Sequence, residues 1–177
     1  ILYVGRLEKE KNIEAMLEAF KLLKEKNSKA KLLIVGDGKE RASFEEKAVS
    51  LGLKDVVFMG AIEHNLIPEI MNASDVFLIT SAYESCPLAA EEATACGLPL
   101  VSTDVGRVRD FIPPGYGRII SLDRKEIANA LEQFLLQKDN PEMRQSCRNK
   151  ALEFGFDKTA KQTLAVYKNL TNKKGNR

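Results

Sequence analysis

Val76-Phe77-Leu78-Ile79-Thr80-Ser81-Ala82-Tyr83-Glu84-Ser85-Cys86-Pro87-Leu88-Ala89-Ala90-Glu91-Glu92-Ala93 passes from an apolar run through a polar loop into a series of helix formers. Val76–Ile79 is too short for a helix and has no helical spacing, so it reads as a buried parallel strand. Pro87 has a fixed φ and no N–H, which suits a first helical position, and Leu88–Cys96 is rich in Ala, Leu and Glu. A helix is therefore expected from about Leu88. The free N–H groups of its first turn and its positive dipole end suit an anion such as a phosphate. Glu84 in the loop and Glu92 one turn into the helix would repel a bare phosphate, so they should meet something neutral attached to it. Sugar hydroxyls, which donate to carboxylates, fit that requirement. Dipole compensation alone also explains two glutamates near a helix start, and the rest of the chain has to choose between these readings.

Working back from this stretch, Ile1–Val4 is a strand followed by Gly5-Arg6-Leu7 and a charged loop through Lys11. Ile13, Met16, Leu17, Phe20 and Leu23 recur at helical spacing, giving a helix from about Asn12, a good N-cap residue, to about Glu25. Gly5 permits a tight turn, and Arg6 and Lys11 fall at the carboxyl end of the strand, where open α/β sheets bind ligands. Arg grips phosphate with two parallel hydrogen bonds and Lys adds a point charge. Lys31–Val35 is a second strand, ending in Gly36-Asp37-Gly38, whose turn lets backbone approach a ligand, and a helix follows from about Lys39 to Leu51. Asp55–Gly60 is a third strand, Leu66–Met71 a short helix, and Val76–Ile79 the fourth strand.

Beyond the central helix, Pro99–Ser102 is a fifth strand, and Arg118–Ser121 a sixth after a turn-rich surface link at Phe111–Gly117. Ile127, Ala130, Leu131, Phe134 and Leu135 form one helical core stripe, Pro141 starts another helix, and Leu164, Tyr167 and Leu170 mark a terminal one from about Lys158. Thr171–Arg177 reads as a frayed tail, and its two adjacent lysines are compatible with peripheral membrane contact. Six strand-and-helix alternations predict an α/β fold: a doubly wound, parallel six-stranded, Rossmann-like sheet with helices on both faces.

Composition narrows the function. With 177 residues, 44% hydrophobic and 29% charged, the chain has the size and makeup of one globular domain. A net charge of +2 spread over 27 basic and 25 acidic residues forms no basic stripe, which argues against nucleic acid. No apolar run approaches the roughly 20 residues of a membrane span, and no targeting segment is visible. The three cysteines, Cys86, Cys96 and Cys147, lack paired or metal-like spacing and fit a reducing compartment such as the cytoplasm. Cys86 has no histidine partner in view and reads as a small apolar filler. A single histidine, His64, argues against a His-rich metal site and a Ser-His-Asp triad.

Glu84, seven intervening residues, Glu92-Ala93 and Gly97-Leu98-Pro99-Leu100-Val101 together resemble the signature of the retaining family 4 glycosyltransferases, the "glycosyl transferases group 1" domain. Gly5-Arg6-Leu7 with Lys11 is similar to that family's opening segment. The resemblance implies the donor-binding C-terminal half of a GT-B enzyme, spanning 1–177 as a single domain without its N-terminal acceptor half. It implies that Arg6 and Lys11 hold a donor diphosphate, that Glu84 contacts the transferred sugar and that Glu92 meets ribose hydroxyls. Gly5, Gly36, Asp37, Ala61, Ile62, Ser85, Cys86, Pro87, Leu88 and Ala89 complete the expected substrate contacts. No cofactor or metal is expected, only a UDP- or GDP-linked hexose as donor substrate. In the family's Gly-Gly loop Arg107 replaces the second glycine, which means a different turn or an added cation. A non-catalytic nucleotide-sugar-binding module is the alternative, and a nicotinamide oxidoreductase is disfavoured because no Gly-x-Gly-x-x-Gly follows the first strand. Because GT-B chemistry occurs between two halves, this chain alone should bind donor weakly and transfer little.

Overall fold

The computed structural model describes residues 1–174. Six parallel strands, β1 Leu2–Val4, β2 Leu32–Val35, β3 Val56–Gly60, β4 Phe77–Ile79, β5 Leu100–Thr103 and β6 Gly117–Ile120, form one sheet in the order β3-β2-β1-β4-β5-β6. The chain steps outward from β1 to β3, then returns to the middle and steps outward the other way from β4 to β6. β1 and β4 are therefore neighbours across the topological switch, and the crevice above their carboxyl ends is where such sheets hold ligands. The doubly wound expectation holds.

The helices are α1 Ile13–Lys26, α2 Arg41–Ser50, α3 Ile67–Asn72, α4 Leu88–Ala95, α5 Val108–Phe111, α6 Arg124–Leu135, α7 Pro141–Ala151 and α8 Phe156–Lys174. Strand alternation divides the core in two. Tyr3, Ile34 and Leu78 face α1 and α6, and Leu2, Val35, Phe77 and Ile79 face α3, α4 and α5. The α1 stripe Ile13, Met16, Leu17, Phe20 and Leu23 is fully buried, as its spacing predicts. β3 is an edge strand with Val57 and Met59 exposed.

Several expectations are corrected. Asn12 precedes α1 but makes no side-chain cap. Its φ is 50°, in the left-handed region that Asn tolerates better than most residues, and its amide is used elsewhere. Phe111 belongs to α5 rather than to a surface link; it is buried, with its ring edge-on to Phe154 at a centroid distance of 5.0 Å. Cys86 is exposed and fills no core, whereas Cys147 is buried and burial pushes its thiol up to about 12. Leu164, Tyr167 and Leu170 are exposed along α8, so that stripe meets no core within the described residues. α8 begins at Phe156 and runs through Lys174, so Thr171–Lys174 is helical rather than frayed. The rest of that expected tail, Gly175–Arg177, lies outside the described residues. No helix among the described residues is long and apolar enough to cross a membrane.

At Gly106 φ is +49°, and a Cβ would collide with the carbonyl oxygens of Ser85 and Glu84. Gly52, at φ +71°, faces open space. Gly106→Ala should therefore destabilise the protein by about 2 kcal/mol or more, and Gly52→Ala by only about 1 kcal/mol. Urea denaturation of the two variants checks this, and equal losses would contradict the packing role of position 106.

Candidate active site

The cleft over the switch is built by joining two turns that lie about seventy residues apart in sequence. Asn12 Nδ2 donates to the Thr80 carbonyl at 3.1 Å, and Thr80 Oγ1 donates to the Lys11 carbonyl at 2.8 Å. The Ala82 N–H donates to the Glu10 carbonyl at 2.7 Å. These bonds draw the β1–α1 turn onto the β4–α4 turn. Across the seam Lys11 Nζ meets Glu84 Oε1 at 2.7 Å, both side chains being mostly buried. Ser81 Oγ donates to the same oxygen at 2.8 Å. The hydrogen bonds found for the Glu84 carboxylate all fall on Oε1, which leaves Oε2 to accept from a ligand.

A cavity of about 440 Å³ opens here, lined by Gly5, Arg6, Lys11, Ser81, Glu84, Cys86, Pro87, Leu88 and Ala89 over a floor of Tyr3, Val4, Phe77 and Ile79. Leu88 begins α4, whose first recorded backbone bond runs from the Ala90 N–H to the Pro87 carbonyl at 2.9 Å. The Leu88 and Ala89 N–H groups belong to the turn that helix geometry leaves unpaired. Arg6 is exposed and only loosely paired, its Nη2 lying 4.0 Å from Glu10 Oε1. The lining therefore combines two cations, helix-end amides and one carboxylate oxygen, a set suited to a phosphate group joined to a hydroxyl-bearing one. A second hollow of about 410 Å³ opens at the opposite edge beside Lys29, Lys31, Asp75 and Lys138. It lies at the amino ends of the strands and gathers none of the expected site residues.

The other expected residues lie farther along the same edge or turn toward the protein. Gly36, at φ +129°, has no room for a Cβ because of the Gly5 carbonyl oxygen, and Gly38 none because of that of Leu7. The closeness these glycines allow is taken up by the protein's own first turn, fixed by the Leu7 N–H to the Asp37 carbonyl at 2.9 Å. Asp37 Oδ1 accepts from the Gly38 N–H and Oδ2 pairs with Arg41 at 3.2 Å. Ala61 is exposed after β3, and Ile62 is half-buried against the α3–α4 side of the core. Ser85 turns its carbonyl toward Gly106. Glu92 stands outside the cavity, with Oε1 2.8 Å from His64 Nε2. Arg107 has an ordinary φ of −100° and bonds Asp110 at 2.7 Å, so this position needs no glycine.

Tyr3, Ser81 and His64 were not legible as site residues. The Tyr3 hydroxyl donates to the Arg6 carbonyl at 2.9 Å and braces the cation's turn from below. Burial first, and the Glu84 and Glu10 carboxylates second, hold its phenol above the ordinary range. Alternation in β1 shows only which face Tyr3 takes. Among the described residues no group of three or more His, Cys, Asp or Glu side chains is gathered as metal ligands.

Strand order and the cleft at the switch define a Rossmann-like domain of the kind found in GT-B glycosyltransferases. Sucrose-phosphate synthase from Thermosynechococcus elongatus superposes with a TM-score of 0.86 at 28% identity, over 97% of this chain and 45% of that one. Anabaena HepE, solved with UDP and glucose, shares the fold with a TM-score of 0.79 at 22% identity, over 94% of this chain and 47% of that one. In sequence, the chain is 28% identical over 178 residues to the alpha-D-kanosaminyltransferase of Streptomyces kanamyceticus, covering 96% of this chain and 45% of the relative. Residues 1–154 match the family described as glycosyl transferases group 1, and the chain belongs to that family. It spans about half the length of the curated relatives it matches.

A double-mutant cycle tests the central pair. Lys11→Met and Glu84→Gln should each destabilise the fold, with a coupling of about 1 to 3 kcal/mol by urea denaturation. Strict additivity would mean that the pair adds no stability.

Proposed function

We propose that this chain is the donor-binding half of a retaining, family 4 glycosyltransferase, moving a hexosyl group from a UDP- or GDP-linked donor to an acceptor. The observation that carries the reading is the cleft in which Arg6, Lys11, the α4 amides and the free oxygen of Glu84 face one space. As the glycosidic bond breaks, negative charge grows on the leaving diphosphate. Arg6, the remaining Lys11 protons and the Leu88 and Ala89 amides stabilise that charge through preorganised electrostatics, with no metal assigned a role. Glu84, fixed through Oε1 by Lys11 and Ser81, orients the sugar by accepting from a hydroxyl at Oε2. Glu92, outside the cavity on α4 and paired with His64, is assigned to the ribose hydroxyls.

The reaction needs a second half to close the cleft and bring the acceptor. The exposed apolar residues of α8, Phe156, Leu164, Val166, Tyr167 and Leu170, support such a partner, since an uncovered stripe of this kind favours burial. We assign the acceptor-binding domain to the remainder of a longer protein, and the 177 residues by themselves are expected to bind donor weakly and transfer little. The unpaired thiols Cys86, Cys96 and Cys147 support a cytoplasmic setting.

Calorimetry of the full-length protein with a panel of nucleotide sugars tests the reading. Arg6→Ala and Lys11→Ala should each weaken nucleoside diphosphate binding by about 1 to 3 kcal/mol, and unchanged binding in both would remove the phosphate assignment. Glu84→Gln should slow turnover by about a hundredfold or more while diphosphate affinity changes little. Binding without transfer in the full-length protein would favour the non-catalytic module. A product with inverted anomeric configuration by NMR would overturn retention.

A further inference from the structure

His64 carries the one imidazole of the chain, on the single helical turn His64–Leu66 that follows the β3 loop. Its Nε2 lies 2.8 Å from Glu92 Oε1 on α4. An ionised carboxylate only accepts, so His64 is the donor in this bond. The contact joins the loop of Ala61 and Ile62 to the helix whose amino end faces the cavity. It also uses one oxygen of Glu92 and leaves Oε2 without a recorded partner. The His64 side chain is 83% exposed, so the bond contributes little to the core, and a shape-filling role does not account for it.

We infer that His64 is a positioning residue for nucleoside recognition: it fixes the Glu92 carboxylate so that Oε2 faces the ribose and ties the Ala61–Ile62 loop, expected among the substrate contacts, to the same frame. The inference rests on the donor-site reading above. Glu92 is half-exposed on a helix, and an unrestrained carboxylate there would lose rotamer freedom on meeting a ribose. A donor already holding Oε1 removes part of that loss before the ligand arrives. Lys11 and Ser81 hold Glu84 Oε1 in the same manner, so both acids of the site present one restrained and one open oxygen.

The test uses UDP and GDP as probes on the full-length protein, with the tighter of the two compared against its 2′,3′-dideoxy counterpart by calorimetry. His64→Ala should weaken the ribonucleotide by about three- to tenfold and leave the dideoxy form within twofold of the unaltered protein. His64→Gln, which keeps an N–H donor at similar reach, should restore most of the ribonucleotide affinity. An equal loss for both sugars, no rescue by Gln, or unchanged or tighter binding by His64→Ala would overturn the inference. If the unaltered protein binds neither UDP nor GDP, the donor-site reading itself fails, an outcome distinct from any effect of His64.

Discussion

The β1–α1 and β4–α4 turns touch because the sheet reverses direction between them, and three hydrogen bonds make that contact specific. Asn12, Thr80 and Ala82 each donate to a backbone carbonyl of the opposite turn, and the Lys11–Glu84 ion pair lies over this seam. Without it, Arg6 and Lys11 would sit on one flexible loop and Glu84 on another. Their opposite charges would face water separately, each screened and each free to rotate. Held together, the cations and the acid bound one small volume, and solvent is partly excluded from the pair. Charge stabilisation in a cleft depends on dipoles and charges being in place beforehand, and the seam supplies that order.

What could be read in the sequence was what repeats. The 3.6-residue stripe of α1, the apolar run of β4 and the Pro87 helix start each carry a local period or a local steric rule. Their alternation fixes a doubly wound sheet, and the topology then places Arg6, Lys11 and Glu84 at one edge with no further information. Asn12 shows where such reading stops. Its type suits a cap and also a left-handed residue, and the choice depends on Thr80, which no local pattern connects to it. His64 was equally silent, since an isolated exposed histidine carries no spacing and gains meaning only when α4 brings Glu92 to it. The α8 stripe failed for a different reason. Helical spacing shows that a face is apolar but does not say which surface covers it.

The glycines link fold to chemistry. Gly36 and Gly38 were expected to bring backbone near a ligand, yet each faces a carbonyl of the Gly5–Leu7 turn, and Gly106 meets those of Glu84 and Ser85. All three let one loop of the carboxyl edge rest directly on another. A side chain at any of them would push apart the turns that carry the charges. The cavity's polar wall is thus held by main chain packed on main chain, the least deformable support a loop can have. This explains why a cleft with few large apolar residues at its mouth can keep its shape. The residues exposed there, Arg6 and Cys86 among them, stay free to meet a ligand while the backbone beneath them stays fixed.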